Sequence, residues 1–119
     1  MNTRDKGNFF ETRACSYLED NGYKILDRNF RVGRYSEIDI VALHEGCLVA
    51  VEVKGLDNAM DDDLSTQCIK GKINRLKFLK LKQALIVYSQ KDIADFDFMR
   101  IDVIMILNSK VFHYKDVSI

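Results

Sequence analysis

The sequence predicts a mixed-sheet α/β domain, on three observations. Two aliphatic segments, Ser36–Leu43 and Leu48–Lys54, flank a short polar link containing Gly46 and read as a β-hairpin. Before them, Lys6 to Asp20 spaces its apolar residues as a helix does. After them, a basic helical stretch leads to further strand-length apolar runs, so a helix connects the hairpin to a later parallel strand. The predicted order is αβββαβββ, in one domain spanning 119 residues.

The first helix is capped by Asn2 or Thr3 and ended by Asn21-Gly22. Phe10, Ala14, Tyr17 and Leu18 form its apolar stripe, and Glu11 falls on the stripe's edge. A carboxylate there either serves a site, as a direct or outer metal contact, or pairs with a nearby arginine. Tyr23 to Arg31 reads as the first strand. Arg28, Arg31 and Arg34 cluster near its end and are candidate phosphate contacts.

The hairpin's register follows from its length. With a loop of Glu45-Gly46, or of His44 to Cys47, Leu43 faces Leu48, Val41 faces Ala50, Asp39 faces Glu52 and Glu37 faces Lys54. Side chains alternate with period two. One face therefore carries Glu37, Asp39, Val41, Ala50, Glu52 and Lys54, and the other is wholly apolar from Ile38 to Val53. Carboxylates directly across a ladder repel. That cost calls for a compensating charge, and a hard divalent cation such as Mg²⁺ suits a site with few protein ligands. The alternative is a half-exposed sheet with ordinary surface charges.

Gly55 to Asp63 reads as a polar loop, with Asp61, Asp62 and Asp63 charging the start of the next helix. That helix is predicted from Leu64 to Leu81, with Ile69, Ile73 and Leu76 facing inward. Lys70, Lys72, Arg75, Lys77, Lys80 and Lys82 make it basic, either as a solvated face or as a groove for a nucleic-acid backbone. Gln67 is a candidate for orienting a water or a phosphate. Ala84 to Tyr88 reads as a buried strand, Arg100 to Leu107 as another, and Val111 to Tyr114 as an edge strand beyond the Asn108-Ser109 turn.

Composition excludes several classes. Hydrophobic residues make up 47% of the chain, which argues against disorder. No apolar run reaches membrane-spanning length, and the first residues do not resemble a signal peptide, so a cytoplasmic location is expected. Three scattered cysteines fit reduced thiols and no disulfide frame or zinc site. His44 and His113 look isolated, without a nucleophile–base pairing. Eighteen basic and eighteen acidic residues balance, which argues against indiscriminate nucleic-acid binding but allows a local basic patch.

A helix carrying Glu11, then Asp39, then Glu52-Val53-Lys54 in a hairpin, then a basic helix, resembles the PD-(D/E)XK nuclease core. More closely, the chain is similar to the YraN-like (UPF0102-type) family, related to archaeal-type Holliday junction resolvases. The matching stretches include Gly7, Glu11, Ala14, Tyr17-Leu18, Gly22-Tyr23 and Arg28-Asn29-Phe30-Arg31. They continue through Glu37-Ile38-Asp39-Ile40-Val41-Ala42, Val51-Glu52-Val53-Lys54, Lys72, Arg75-Leu76 and Arg100-Ile101-Asp102-Val103. The chain departs from the family pattern at Ser36, where Gly is usual, and at Leu56, where Arg is usual.

The resemblance implies a restriction-endonuclease-like fold and Mg²⁺ or Mn²⁺ bound by Asp39, Glu52 and the backbone carbonyl of Val53. It also implies that Lys54 positions or activates the attacking water and that Glu11 is the acidic residue of the first helix. DNA, branched DNA included, is the implied substrate, and a homodimer the implied assembly by analogy. The alternative function is a non-catalytic nucleic-acid-binding module that keeps the fold.

Overall fold

The computed structural model describes residues 3–56, 74–92 and 95–118. Helix α1 (Thr3–Asp20) is followed by strands β1 (Lys24–Val32), β2 (Ser36–His44) and β3 (Cys47–Leu56). Helix α2 (Arg75–Ser89) then leads to β4 (Phe98–Leu107) and β5 (Lys110–Tyr114). The strands form one mixed sheet in chain order, parallel only between β3 and β4. This architecture is compatible with a restriction-endonuclease-like fold. Among the described residues no helix is long and apolar enough to cross a membrane.

α1 ends as its sequence dictates. Gly22 takes φ +86°, Gly22 N bonds Glu19 O, and Tyr23 N bonds Leu18 O, which closes the last turn in a Schellman pattern. Its inner side buries Ala14, Cys15 and Leu18 against Ile40, Ala42, Val49, Val51, Ile104 and Ile106. The hairpin uses the shorter of the two loops: His44 pairs with Cys47, and Glu45 and Gly46 both take positive φ, as a two-residue type I′ turn requires. Asn108 and Ser109 repeat that geometry between β4 and β5.

Two corrections concern the second half of the fold. Ala84–Tyr88, predicted as strand, is the C-terminal half of α2, so the described order is αβββαββ. The inward residues are Leu81, Ala84, Leu85 and Tyr88, a helical spacing, while Ile86 and Val87 stand 41% and 42% exposed. An apolar run of five cannot by itself tell strand from helix, and the stripe shared with the preceding turn decides it. Leu76, predicted to face inward, is 62% exposed. Asn74 caps α2 through an Asn74 Oδ1 bond from Lys77 N, which sets the helix phase from position 74. Leu64 to Ile73, including Gln67, Lys70 and Lys72, and the acidic run Asp61–Asp63 lie outside the described residues.

The hairpin's second face is not half-exposed. Val41, Leu48 and Ala50 are covered by α2 through Leu81, Ala84, Leu85 and Tyr88, so helices bury both sides of the sheet. Ile38, predicted to share a face with Ile40, joins this α2-side cluster with its partner Phe30. The β2–β3 pairing stops at Ile40–Val51, and Asn29 in β1 takes φ +54°. Strict alternation thus breaks in β2 where the acidic residues begin.

Gly55, directly after Lys54, fixes how α1 crosses the sheet. A Cβ there would meet the Phe10 ring, Cγ included, at 2.2 Å. Gly55→Ala should therefore lower stability by about 1–3 kcal/mol, the usual range for overpacking. Gly7, in the interior of α1, has open space around it. Gly7→Ala should raise stability by about 0.5–1 kcal/mol through helix propensity. Urea unfolding of both variants checks the contrast.

Candidate functional site

Asp39 and Glu52 come together where β2 and β3 part. The Asp39 side chain accepts a 2.9 Å hydrogen bond from Val53 N through Oδ2. Its carboxyl also interacts with that of Glu52. Glu52 is 2% exposed. Burial, then the Glu52 charge, push the Asp39 pKa up to about 8, with Glu11 adding to the effect. The β2–β3 pairing runs to Ile40–Val51, one step short of the predicted Asp39–Glu52 pair, and the two acids interact through their charges.

Two ammonium groups answer the acids. Lys54 Nζ lies 3.3 Å from Glu52 Oε1, and Lys77 Nζ from α2 lies 2.8 Å from the same oxygen. Burial works against the Lys77 charge, but the hydrogen bond and charge of Glu52 outweigh it and raise its pKa. Lys77 had been visible only as one cation in a basic run. Its signal was Asn74 three residues earlier, a capping residue that starts a helix and aims its first turn.

Glu11 reaches the site from α1. Its Oε1 is buried without a hydrogen-bond partner, 3.6 Å from Arg28 Nη2. Burial raises its pKa despite Asn29 and Arg28, and Glu37 adds to the rise. Arg28 is turned onto α1, where Nη2 also donates to Thr12 Oγ1 at 3.3 Å. Glu11 thus pairs with an arginine, as one of its two expected roles requires, and also lines the α1-side cleft. Asn29 was not singled out as a site residue. It takes a positive φ, which Asn tolerates better than most residues, and it lowers the Glu11 pKa against burial. Arg31 stands 3.7 Å from Glu37 on the surface, and Arg34 and Arg75 are exposed.

Two open clefts meet at the acidic pair. One, of about 400 Å³, is lined by Tyr35, Glu37, Asp39, Glu52, Asn74, Lys77 and Lys80. The other, of about 520 Å³, lies on the α1 side and adds Lys6, Glu11, Val53 and Lys54. Among the described residues no three carboxylate, imidazole or thiol groups gather as a ligand set. The available donors are Asp39 and Glu52 with main-chain oxygen. This oxygen-only set fits Mg²⁺, which binds through one or two carboxylates and keeps its waters.

The model of the uncharacterised protein family UPF0102 matches residues 10–106 of this chain. The chain belongs to that family. A UPF0102 protein of Sulfurihydrogenibium sp. (strain YO3AOP1) is 35% identical over 116 residues, covering 98% of this chain and 96% of its own. One from Sulfurimonas denitrificans is 36% identical, covering 98% and 99%, and one from Aquifex aeolicus is 35% identical, covering 96% and 97%.

This UPF0102 chain holds a second polar cluster, where the histidines predicted to be isolated are found. Asp102 is fully buried. It accepts hydrogen bonds from Tyr23 Oη at 2.9 Å, His113 Nε2 at 2.8 Å, Arg100 Nε at 3.0 Å and Asp116 N at 3.0 Å. Arg100 Nη2 lies 2.8 Å from His44 Nδ1, and the His44 ring stacks on Tyr23 at 3.9 Å. Tyr17 Oη reaches His113 Nδ1 at 3.1 Å. With Arg100 donating, His44 Nδ1 is the acceptor. Burial first, and the Arg100 charge with it, lowers the His44 pKa. The cluster ties α1, the hairpin turn, β4 and β5 together through residues far apart in sequence.

Asp102 and Asp39 give opposite pH slopes. Burial opposes the Asp102 charge, but bonds from His113, Arg100, Asp116 and Tyr23 win and hold its pKa down to about 2. Its stabilisation is complete above the unfolded value near 4 and is lost as pH falls toward 2, at a cost of order 2 kcal/mol. Asp39 has the reverse sign. Its contribution is complete below about pH 4 and is lost as pH rises through about 8. Thermal melts without divalent ions should show wild-type stability declining between those values and Asp39→Asn flattening the decline.

Proposed function

We propose that this protein is a divalent-metal-dependent endonuclease-like protein acting on DNA phosphodiesters, with branched DNA among its substrates. One observation carries the reading: a buried carboxylate, Glu52, and a half-buried one, Asp39, come from neighbouring strands beside two lysines at the junction of two open clefts. The PD-(D/E)XK resemblance supports the same roles for Asp39, Glu52, Lys54 and Glu11.

In this reading Asp39 and Glu52, with the Val53 carbonyl, hold Mg²⁺ or Mn²⁺. A bound ion supplies Lewis-acid polarisation of a phosphate oxygen and acidification of water. Lys54 steadies charge developing on the phosphate oxygens. Lys77 and Lys80 of α2 line the 400 Å³ cleft, an arrangement suited to a phosphate. Arg28 contributes less directly, because it is committed to Glu11. A homodimer would let two sites act on the two strands of a junction.

A second reading, a non-catalytic nucleic-acid-binding module, is favoured by the two lysines that already neutralise Glu52. A panel of linear, single-stranded, flap and four-way DNA with Mg²⁺ and Mn²⁺ separates the two. The nuclease reading expects metal-dependent cleavage that drops about a hundred-fold or more in Glu52→Ala and Lys54→Ala. Salt-sensitive binding with no cleavage under any divalent ion would favour the module. Mn²⁺ affinity should also climb as pH passes about 8, where Asp39 loses its proton.

A further inference from the structure

The position of Lys77 is not accounted for by helix stability. It lies in the first turn of α2, where positive charge opposes the helix dipole, and no acidic residue in that turn balances it. The Asn74 cap fixes its main chain through a 2.9 Å bond. Its side chain leaves solvent to reach Glu52 Oε1 at 2.8 Å, nearer than Lys54 at 3.3 Å, and it lines both clefts. One oxygen of a nearly inaccessible carboxylate therefore carries two ammonium contacts. Only one of them comes from another layer of the fold.

We propose that Lys77 is a tethered counter-cation that competes with a divalent ion for Glu52 Oε1, so that metal entry requires its displacement. This rests on the metal-site reading above. Lys54 is less suited to the role, because it is held on the same strand two residues from Glu52. Lys77 has a flexible four-carbon stem and an open cleft beside Lys80 and Tyr35 into which its head can swing. Displaced there, the ammonium stays next to the position of a phosphate and becomes a positioning residue for it.

The test is calorimetric titration of the full chain with Mn²⁺ at one pH, using wild type, Lys77→Met, Lys77→Gln, Lys77→Arg and Glu52→Gln, with circular dichroism confirming each fold. Removing the competitor should tighten Mn²⁺ binding about ten-fold or more in Lys77→Met and Lys77→Gln, within the usual range of coupling between two sites. Lys77→Arg, whose guanidinium forks onto a carboxylate, should bind no tighter than wild type. The Mn²⁺-induced rise in melting temperature should be larger in Lys77→Gln than in wild type, which reads the same competition if the Met variant folds poorly. Unchanged or weaker Mn²⁺ affinity in both neutral variants, with Glu52→Gln losing binding, would overturn the proposal and leave the metal site standing. Wild-type Mn²⁺ binding that is absent, or is retained in Glu52→Gln, would remove the metal site and this role with it.

Discussion

The structure depends on two carboxyl groups set side by side where two clefts meet. Asp39 and Glu52 are drawn together by the β2–β3 hairpin, and little water reaches them to soften their repulsion. Nearby features read as responses to that pair. The Val53 amide points at Asp39, two lysines converge on one oxygen of Glu52, and α2 is phased to deliver one of those lysines. An aliphatic pair in the same place would need none of this and would pack at lower cost. Retaining the charges makes sense where a cation or a phosphate is to be handled.

The opposite end of α1 shows how the same fold treats a buried acid it does not expose to a cleft. Asp102 is less accessible than Glu52, yet tyrosine, histidine, arginine and a main-chain amide satisfy it. Its charge is thereby stabilised, whereas that of Asp39 is penalised. Full satisfaction marks a group that holds elements together. Incomplete satisfaction marks one kept available.

Much of this was legible in the residues. The hairpin could be registered because period-two alternation and a two-residue turn constrain each other, and the ladder runs as predicted from His44–Cys47 to Ile40–Val51. The end of α1 was legible from Asn21-Gly22. The break in alternation at Ile38 was not, because it depends on the left-handed Asn29 in the neighbouring strand. Nor was the Asp102 cluster, whose members come together only when α1, the hairpin turn, β4 and β5 are assembled. The second half of α2 was misread because Leu85-Ile86-Val87 is as apolar as a strand, and only its continuity with Leu81 and Ala84 gives it a helical face. Lys77 was concealed among like charges, which carry no positional information until a cap fixes the helix phase.

β1 lies at one margin of the sheet. Its register slips between Ile25 and Asp27, its backbone turns left-handed at Asn29, and it carries Lys24, Asp27, Arg28 and Arg31. Bulges and charges of this kind keep an outer strand from recruiting a foreign strand. Further polymerisation of the sheet through this border is therefore disfavoured. Copies of the chain that associate would do so through side-chain surfaces rather than by lengthening the ladder, and the clefts beside Asp39 would keep their shape.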